Sequence, residues 1–296
     1  MDVAQRMRRL PARSADRSLY QWALTASALA TLAFAGLAIA TLSDTVDGMP
    51  VSAIDAAWPF WIGSLAVAIL AGGLAQIVIQ LARPRLPRRA AAAALPLIED
   101  QRRGNLAWVL PGVTAISSML LVRLYHTPLA ASLGGLALFV VMVVTIVTHY
   151  HLRDERESVR ALASVVLSFL THACAFFLLT MIYSNKWRSM YSATAIALAT
   201  VLMLLQMTDG EEIAWLRRLL YALVGGLLLG QATWALNYWA ATGWSGGALL
   251  LVFFYLCAGL ITQNIRNTLT HRVLAEYIAV AGIAFVIVTA SVTLTR

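Results

Sequence analysis

Nine stretches of this chain, each close to the roughly 20 apolar residues that a helix needs to cross a bilayer, follow one another with mostly short polar breaks. They run approximately from Tyr20 to Leu42, Trp58 to Ala82, Leu106 to Tyr125, Leu129 to Thr148, Val159 to Ser184, Met190 to Met207, Ile213 to Ala240, Ser245 to Gln263 and Ala275 to Leu294. That pattern leaves few folds open. Inside hydrocarbon every backbone amide and carbonyl must find its partner within the protein, so such segments become helices packed side by side. Hydrophobic residues make up 60% of the 296, charged residues 12%, and mean hydropathy is +0.76. A water-soluble domain of that composition would expose a large apolar surface. The expected fold class is all-α, a polytopic transmembrane bundle of about nine spans. Residues 1–19 then form a basic cytoplasmic N-terminal segment, and residues 20–296 a single transmembrane domain with a basic cytoplasmic loop at 83–105.

Charge placement tests the span count independently, because Lys and Arg concentrate in the cytoplasmic segments of membrane proteins. With the N-terminus inside, the inner segments hold Arg6, Arg8, Arg9, Arg13 and Arg17; Arg83, Arg85, Arg88, Arg89, Arg102 and Arg103; Arg153, Arg156 and Arg160; Arg217 and Arg218; Arg266 and Arg272. Of the 22 basic residues only Arg123, Lys186, Arg188 and Arg296 fall outside. Nine spans with the C-terminus outside satisfy this alternation, and one span more or fewer would scramble it. The expected location is the bacterial cytoplasmic (inner) membrane.

The net charge of +8 is spread over five juxtamembrane segments and forms no single stripe, which favours anionic inner-leaflet lipid over nucleic acid as the partner. Cys174 and Cys257 both lie within apolar runs, where a thiol behaves as a small apolar side chain, and they make neither a disulfide framework nor a metal-spaced pair. Five Arg followed by an apolar run and Ala38-Ile-Ala40 look like a secretory leader, but the run is long enough to span and reads as an uncleaved first helix. Pro84 and Pro87 stop the second helix ahead of the loop at 83–105, which has nothing like the size of a soluble domain.

No Asp or Glu occurs in the core of any run; the nearest is Glu276 at the start of the ninth. Carriers coupled to protons or sodium commonly place a carboxylate within the membrane, and that equipment is missing. Neutral polar residues recur in helical register instead. Gly226, Gly230, Thr233 and Asn237 share one face of the seventh helix, Ser164, Ser168, Thr171 and Ala175 one face of the fifth, and Gly72, Gln76 and Gln80 one face of the second. Such faces let helices approach and hydrogen-bond each other; alternatively, Gln76, Gln80, His172 and Asn237 line a polar cavity. His172, the one histidine deep in a run, has no second histidine at its depth for a bis-histidine haem and reads as an interhelical donor.

Two connections on the inner side have local explanations. In Thr208-Asp-Gly-Glu-Glu-Ile213, Asp209 is placed to cap the seventh helix with Glu212 reaching back, against the sharper reading of a catalytic acidic cluster. In His149-Tyr-His-Leu-Arg-Asp-Glu-Arg-Glu157, His149, His151 and Glu155 have metal-like spacing, while Arg153 with Glu157 makes a salt-bridged helix start. The solvated helix is preferred, and no metal site is expected.

On the outer side Trp58, Phe60, Trp61, Tyr125, Tyr183, Trp187, Tyr191, Tyr238, Trp239 and Trp244 make an aromatic belt, close to Asp44, Asp47, Asp55 and Arg123. Arg123 is also the candidate contact for the phosphate of a lipid headgroup or lipid-linked sugar. Gly243-Trp-Ser-Gly246 looks like the nucleophile loop of an intramembrane serine protease, but Ser245 needs a histidine within about 3 Å, and His271, the only one after it, falls on the opposite side. A tight interfacial turn at Gly243 and Gly246, with Ser245 capping the eighth helix, is the expected role.

Trp-Ala-Leu-Asn-Tyr-Trp at 234–239, Leu-Val-Phe-Phe-Tyr-Leu at 251–256 and His271-Arg-Val-Leu-Ala-Glu-Tyr277 resemble segments of uncharacterised bacterial multi-pass membrane proteins, a resemblance that covers the last third of the chain and implies no activity. The leading expectation is a non-enzymatic subunit or accessory component of a membrane complex. A transporter or flippase-like carrier using the polar stripes, and a lipid-linked transferase acting at the outer surface, are the alternatives. The candidate ligand-binding residues are Gln76, Gln80, Arg123, His172 and Asn237, with no catalytic residue and no metal ligand assigned. Bound lipid is expected and no other cofactor; membrane lipids, a complex partner or a second copy are the expected partners, and no nucleic acid.

Overall fold

A computed structural model describes residues 3–43, 58–82, 106–152, 156–185, 189–209, 211, 213–239 and 243–294, with side chains from 18 to 290. Among them are nine helices and no strand: α1 (Val3–Ser43), α2 (Trp58–Leu81), α3 (Val109–Tyr125), α4 (Pro128–His151), α5 (Glu157–Ser184), α6 (Ser189–Met207), α7 (Trp215–Asn237), α8 (Gly243–Ile265) and α9 (His271–Leu294). The protein is an all-helical membrane protein, and eight of these helices, counting α1 from Ser18, are long and apolar enough to cross a bilayer. The ninth, α3, has 17 residues, about 26 Å of helix, which is the short end of what spans. The apolar run ahead of it begins at Leu106, but residues 106–108 form a turn. In α1 the helix extends back through the basic segment to Val3 instead of starting near Tyr20, as Ala- and Arg-rich sequence permits.

Burial explains why a short helix suffices at α3. Thirteen of its residues, among them Leu110, Thr114, Ser118 and Val122, are buried, because α1, α2, α4, α5 and α6 all pack on it. It joins two clusters of apolar side chains. One is built from α1, α2, α3 and α4 around Phe34, Met119, Leu138 and Met142. The other is built mainly from α3, α5, α6, α7 and α8 around Leu110, Met181, Met203 and Phe254. α9 stands at the edge, packed on α8, with Ala281 its one buried residue among those described.

Because lipid tails are as apolar as leucine, close van der Waals packing has to hold these helices together, and small residues supply it. A Cβ on Gly226 would sit 2.7 Å from the carbonyl oxygen of Ala197, and one on Gly72 2.8 Å from that of Trp108, so α7 rests on the backbone of α6 and α2 on the turn before α3. At Gly134 a Cβ would come within 3.0 Å of both Phe34 Cζ and Ser118 Cβ, while Ser118 Oγ donates to Gly134 O at 3.0 Å, tying α1, α3 and α4 together.

Candidate functional site

The helix ends sort into two groups. At one end Arg123 of α3 lies over the first turn of α2, and Trp244 Nε1 of α8 donates to Tyr125 Oη of α3 at 3.2 Å. At the other, Tyr20 of α1 and His151 of α4 stand 3.3 Å apart, Oη to Nε2, and Leu106 N donates to Asp209 Oδ2 at 3.2 Å. These are the Arg123 end and the Asp209 end below.

Arg123 occupies the last turn of α3, where unpaired carbonyls favour a cation. The helix stops just beyond it. His126 takes φ 47°, Thr127 caps α4 by accepting from Ala130 N at 3.2 Å, and Pro128 fills the first helical position, so the chain reverses within three residues. The half-buried guanidinium is held over two aromatic rings, its carbon 5.0 Å from the Phe60 centroid and 5.4 Å from that of Trp61. Those rings meet edge to face at 5.3 Å. Among the described residues Arg123 has neither a hydrogen bond nor an ion pair. Asp44, Asp47 and Asp55 lie outside the described residues, as do Trp187, Lys186 and Arg188.

The other candidate residues do not gather around Arg123 or around one another. Gln76 is half-buried with its Oε1 screened, and Gln80 one turn on is exposed. Both are on α2, which packs on α1, α3 and α4, whereas His172 and Asn237 belong to α5 and α7. His172 Nδ1 donates to Ser168 O at 2.8 Å, so Nε2 carries the lone pair; among the described residues it has no partner, buried against Phe254 and Tyr255 of α8, whose ring centroids lie 5.5 and 6.0 Å from that of His172. Asn237 Nδ2 donates to Ser192 Oγ at 3.3 Å across α6 and α7 at the Arg123 end. The four residues expected around one cavity thus do not meet: Gln76 lies on α2 beside an exposed Gln80, His172 packs on α8, and Asn237 bridges α7 and α6.

Several local expectations are corrected. Asp209 does not cap α7, whose N-cap is Ala214 without a side-chain bond; it accepts from Leu106 N and pairs with Arg218 Nη1 at 3.5 Å, so it joins the start of α3 to α7. Glu212 lies outside the described residues, but Glu211 accepts from Arg266 Nη2 at 2.8 Å and brings in the end of α8. Ser245 sits inside the first turn of α8, not ahead of it. The surrounding glycines are packing sites: a Cβ on Gly243, Gly246 or Gly247 would collide with Ser184, Tyr183 or Thr180 of α5 respectively. Tyr183, expected in the belt, is buried and donates to Leu236 O at 2.9 Å, because that glycine face leaves its ring room between helices. Trp58, Tyr125, Tyr191, Tyr238 and Trp244 are exposed, as a belt requires, while Trp239 packs against the larger cluster.

The two imidazoles of the metal reading face different partners, one within α4 and one on α1. His149 is buried with Nδ1 2.9 Å from Thr145 O, His151 faces Tyr20, and Glu155 and Arg153 lie outside the described residues. No group of three or more His, Cys, Asp or Glu among the described residues stands ready for a metal. Gln206, buried on α6 with Oε1 accepting from Thr171 Oγ1 of α5 at 3.1 Å, lies in an otherwise apolar run, so no polar stripe in the sequence points to it.

No curated protein and no solved structure matches this chain. A family of proteins of unknown function, DUF5656, matches residues 37–291, so the family likeness extends well beyond the C-terminal third of the chain. The match begins in the last turns of α1 and ends in α9, so the Gly72 and Gly226 interfaces, the Asp209 network and the Arg123 stack fall within it, and the chain belongs to the DUF5656 family.

Proposed function

We propose that this protein is a non-enzymatic component of the bacterial cytoplasmic membrane, a subunit or accessory factor of a larger assembly, with the Asp209 end facing the cytoplasm. One observation carries the reading: several polar side chains inside the bundle bond from helix to helix, and others bond back to their own helices. Ser118 bonds α4, Thr171 meets Gln206, Asn237 meets Ser192 and Tyr183 meets the end of α7. Thr114, Ser117 and Thr233 donate to carbonyls one turn back on their own helices at 2.7 to 2.8 Å. A carrier needs such groups to converge on a passing solute, and these are dispersed over several interfaces. Charge supports the orientation, since Arg218, Arg266 and Arg272 lie at the Asp209 end and Arg123 at the other.

Native mass spectrometry of the chain purified from its own membrane in mild detergent tests the reading. A second polypeptide at fixed stoichiometry is the expected result. Recovery only as a monomer, together with saturable solute uptake into vesicles containing the protein alone, would replace the accessory role with a carrier.

A further inference from the structure

Arg123 is placed differently from an ordinary arginine at a membrane edge. Such a side chain normally extends into water or headgroups to keep its charge hydrated. Here Phe60 and Trp61, which meet edge to face, hold the guanidinium carbon at 5.0 and 5.4 Å from their centroids across the top of α2, so the cation is drawn onto aromatic surface on that side. A cation over an aromatic face is stabilised by the ring quadrupole, but that contact supplies no oxygen acceptor to the five N–H groups of the guanidinium. Arginine's planarity lets it stack and still grip two oxygens of a phosphate edge-on, which lysine cannot do. Among the described residues none accepts from this group, which leaves its donors open to an oxygen ligand.

The neighbouring surface of α2 indicates what carries the phosphate. Trp58, Ile62, Leu65 and Ile69 recur at i, i+4, i+7 and i+11 and are 65%, 58%, 55% and 66% exposed, so an apolar strip runs down the helix from the level of the stack. Phosphate at the top and an acyl chain along that strip are the two halves of a phospholipid.

We propose that the edge of Arg123, framed by Phe60 and Trp61, is a specific binding site for the phosphodiester of an anionic phospholipid whose acyl chain lies along Trp58, Ile62, Leu65 and Ile69. The site stands independently of any role in a larger assembly. A carboxylate from the 44–57 connection competes for the same N–H edge, and the experiment separates the two.

The probe is palmitoyl-oleoyl phosphatidylglycerol titrated onto the delipidated full chain in detergent and read by native mass spectrometry, with the corresponding diacylglycerol as the phosphate-free control. One phosphatidylglycerol is expected to bind and diacylglycerol is not. Arg123→Gln is expected to weaken binding by about tenfold or more, the loss that removing a charged hydrogen-bonding partner implies. Trp61→Leu, which keeps the charge but removes half of the stack, is expected to weaken it by a smaller factor. Equal affinity of the folded Arg123→Gln and Trp61→Leu proteins to the unaltered chain would overturn the proposal. So would binding that appears only after Asp44, Asp47 and Asp55 are changed to Asn, because the guanidinium would then belong to the connection. Displacement by millimolar inorganic phosphate would sustain a phosphate site but assign it to a free anion; resistance to displacement assigns it to the lipid.

Discussion

Asp209 accepts from the Leu106 amide with one carboxylate oxygen and faces Arg218 with the other, both side chains largely out of solvent at 9% and 12% exposure. Arg218 Nη2 in turn donates to Glu211 O at 3.1 Å. Removing one member of such a pair strands the other charge where water reaches it poorly, so Asp209→Ala is expected to cost about 3 kcal/mol. Asp209→Asn, which still accepts from Leu106, should cost less. Thermal unfolding in detergent checks both, and the double change with Arg218→Ala should be far from additive, since one network is lost in either case. Ser245 gives the opposite expectation. With its loop absorbed into the first turn of α8 and His271 at the start of the next helix, it should remain unlabelled by a fluorophosphonate probe that modifies activated serines.

The packing of α8 on α5 and of α7 on α6 depends on glycine at the contact, not on the apolar residues that make those helices insert. Gly226→Val and Gly246→Val are each expected to destabilise by roughly 1 to 3 kcal/mol, the usual cost of overpacking, read as a lower unfolding temperature. A Cβ added at Gly36 or Gly73 meets nothing within 4 Å. Gly36→Ala and Gly73→Ala should therefore be neutral, or gain up to about 1 kcal/mol from helix propensity. Similar losses at all four positions would mean that glycine matters here for backbone freedom; the predicted split follows only if close approach matters. This contrast was half legible in the sequence. Periodicity picks out the stripe on α7, but the same periodicity in Gly72, Gln76 and Gln80 ends on an exposed residue.

For the whole molecule the alternation of helix direction makes a topological prediction. In a chain with Cys174 and Cys257 changed to Ala, Thr127→Cys should react with a membrane-impermeant maleimide in intact cells, and Thr268→Cys only after permeabilisation. Both positions are exposed, at opposite ends of the bundle. The all-helical class and the order and approximate limits of the spans were readable from the chain alone, because transfer into hydrocarbon is decided segment by segment and each apolar run carries its own answer. The exception, α3, shows the limit of that logic: its length is set by five neighbours that enclose it. Which polar residues meet was decided only by tertiary packing. Gln76, His172 and Asn237 have the same helical character in sequence yet face different neighbours, and the Arg123 stack joins α2 to α3 across a connection that periodicity does not see. Side-chain pairing between helices depends on their rotation and crossing about one another, quantities that exist only once the bundle has formed.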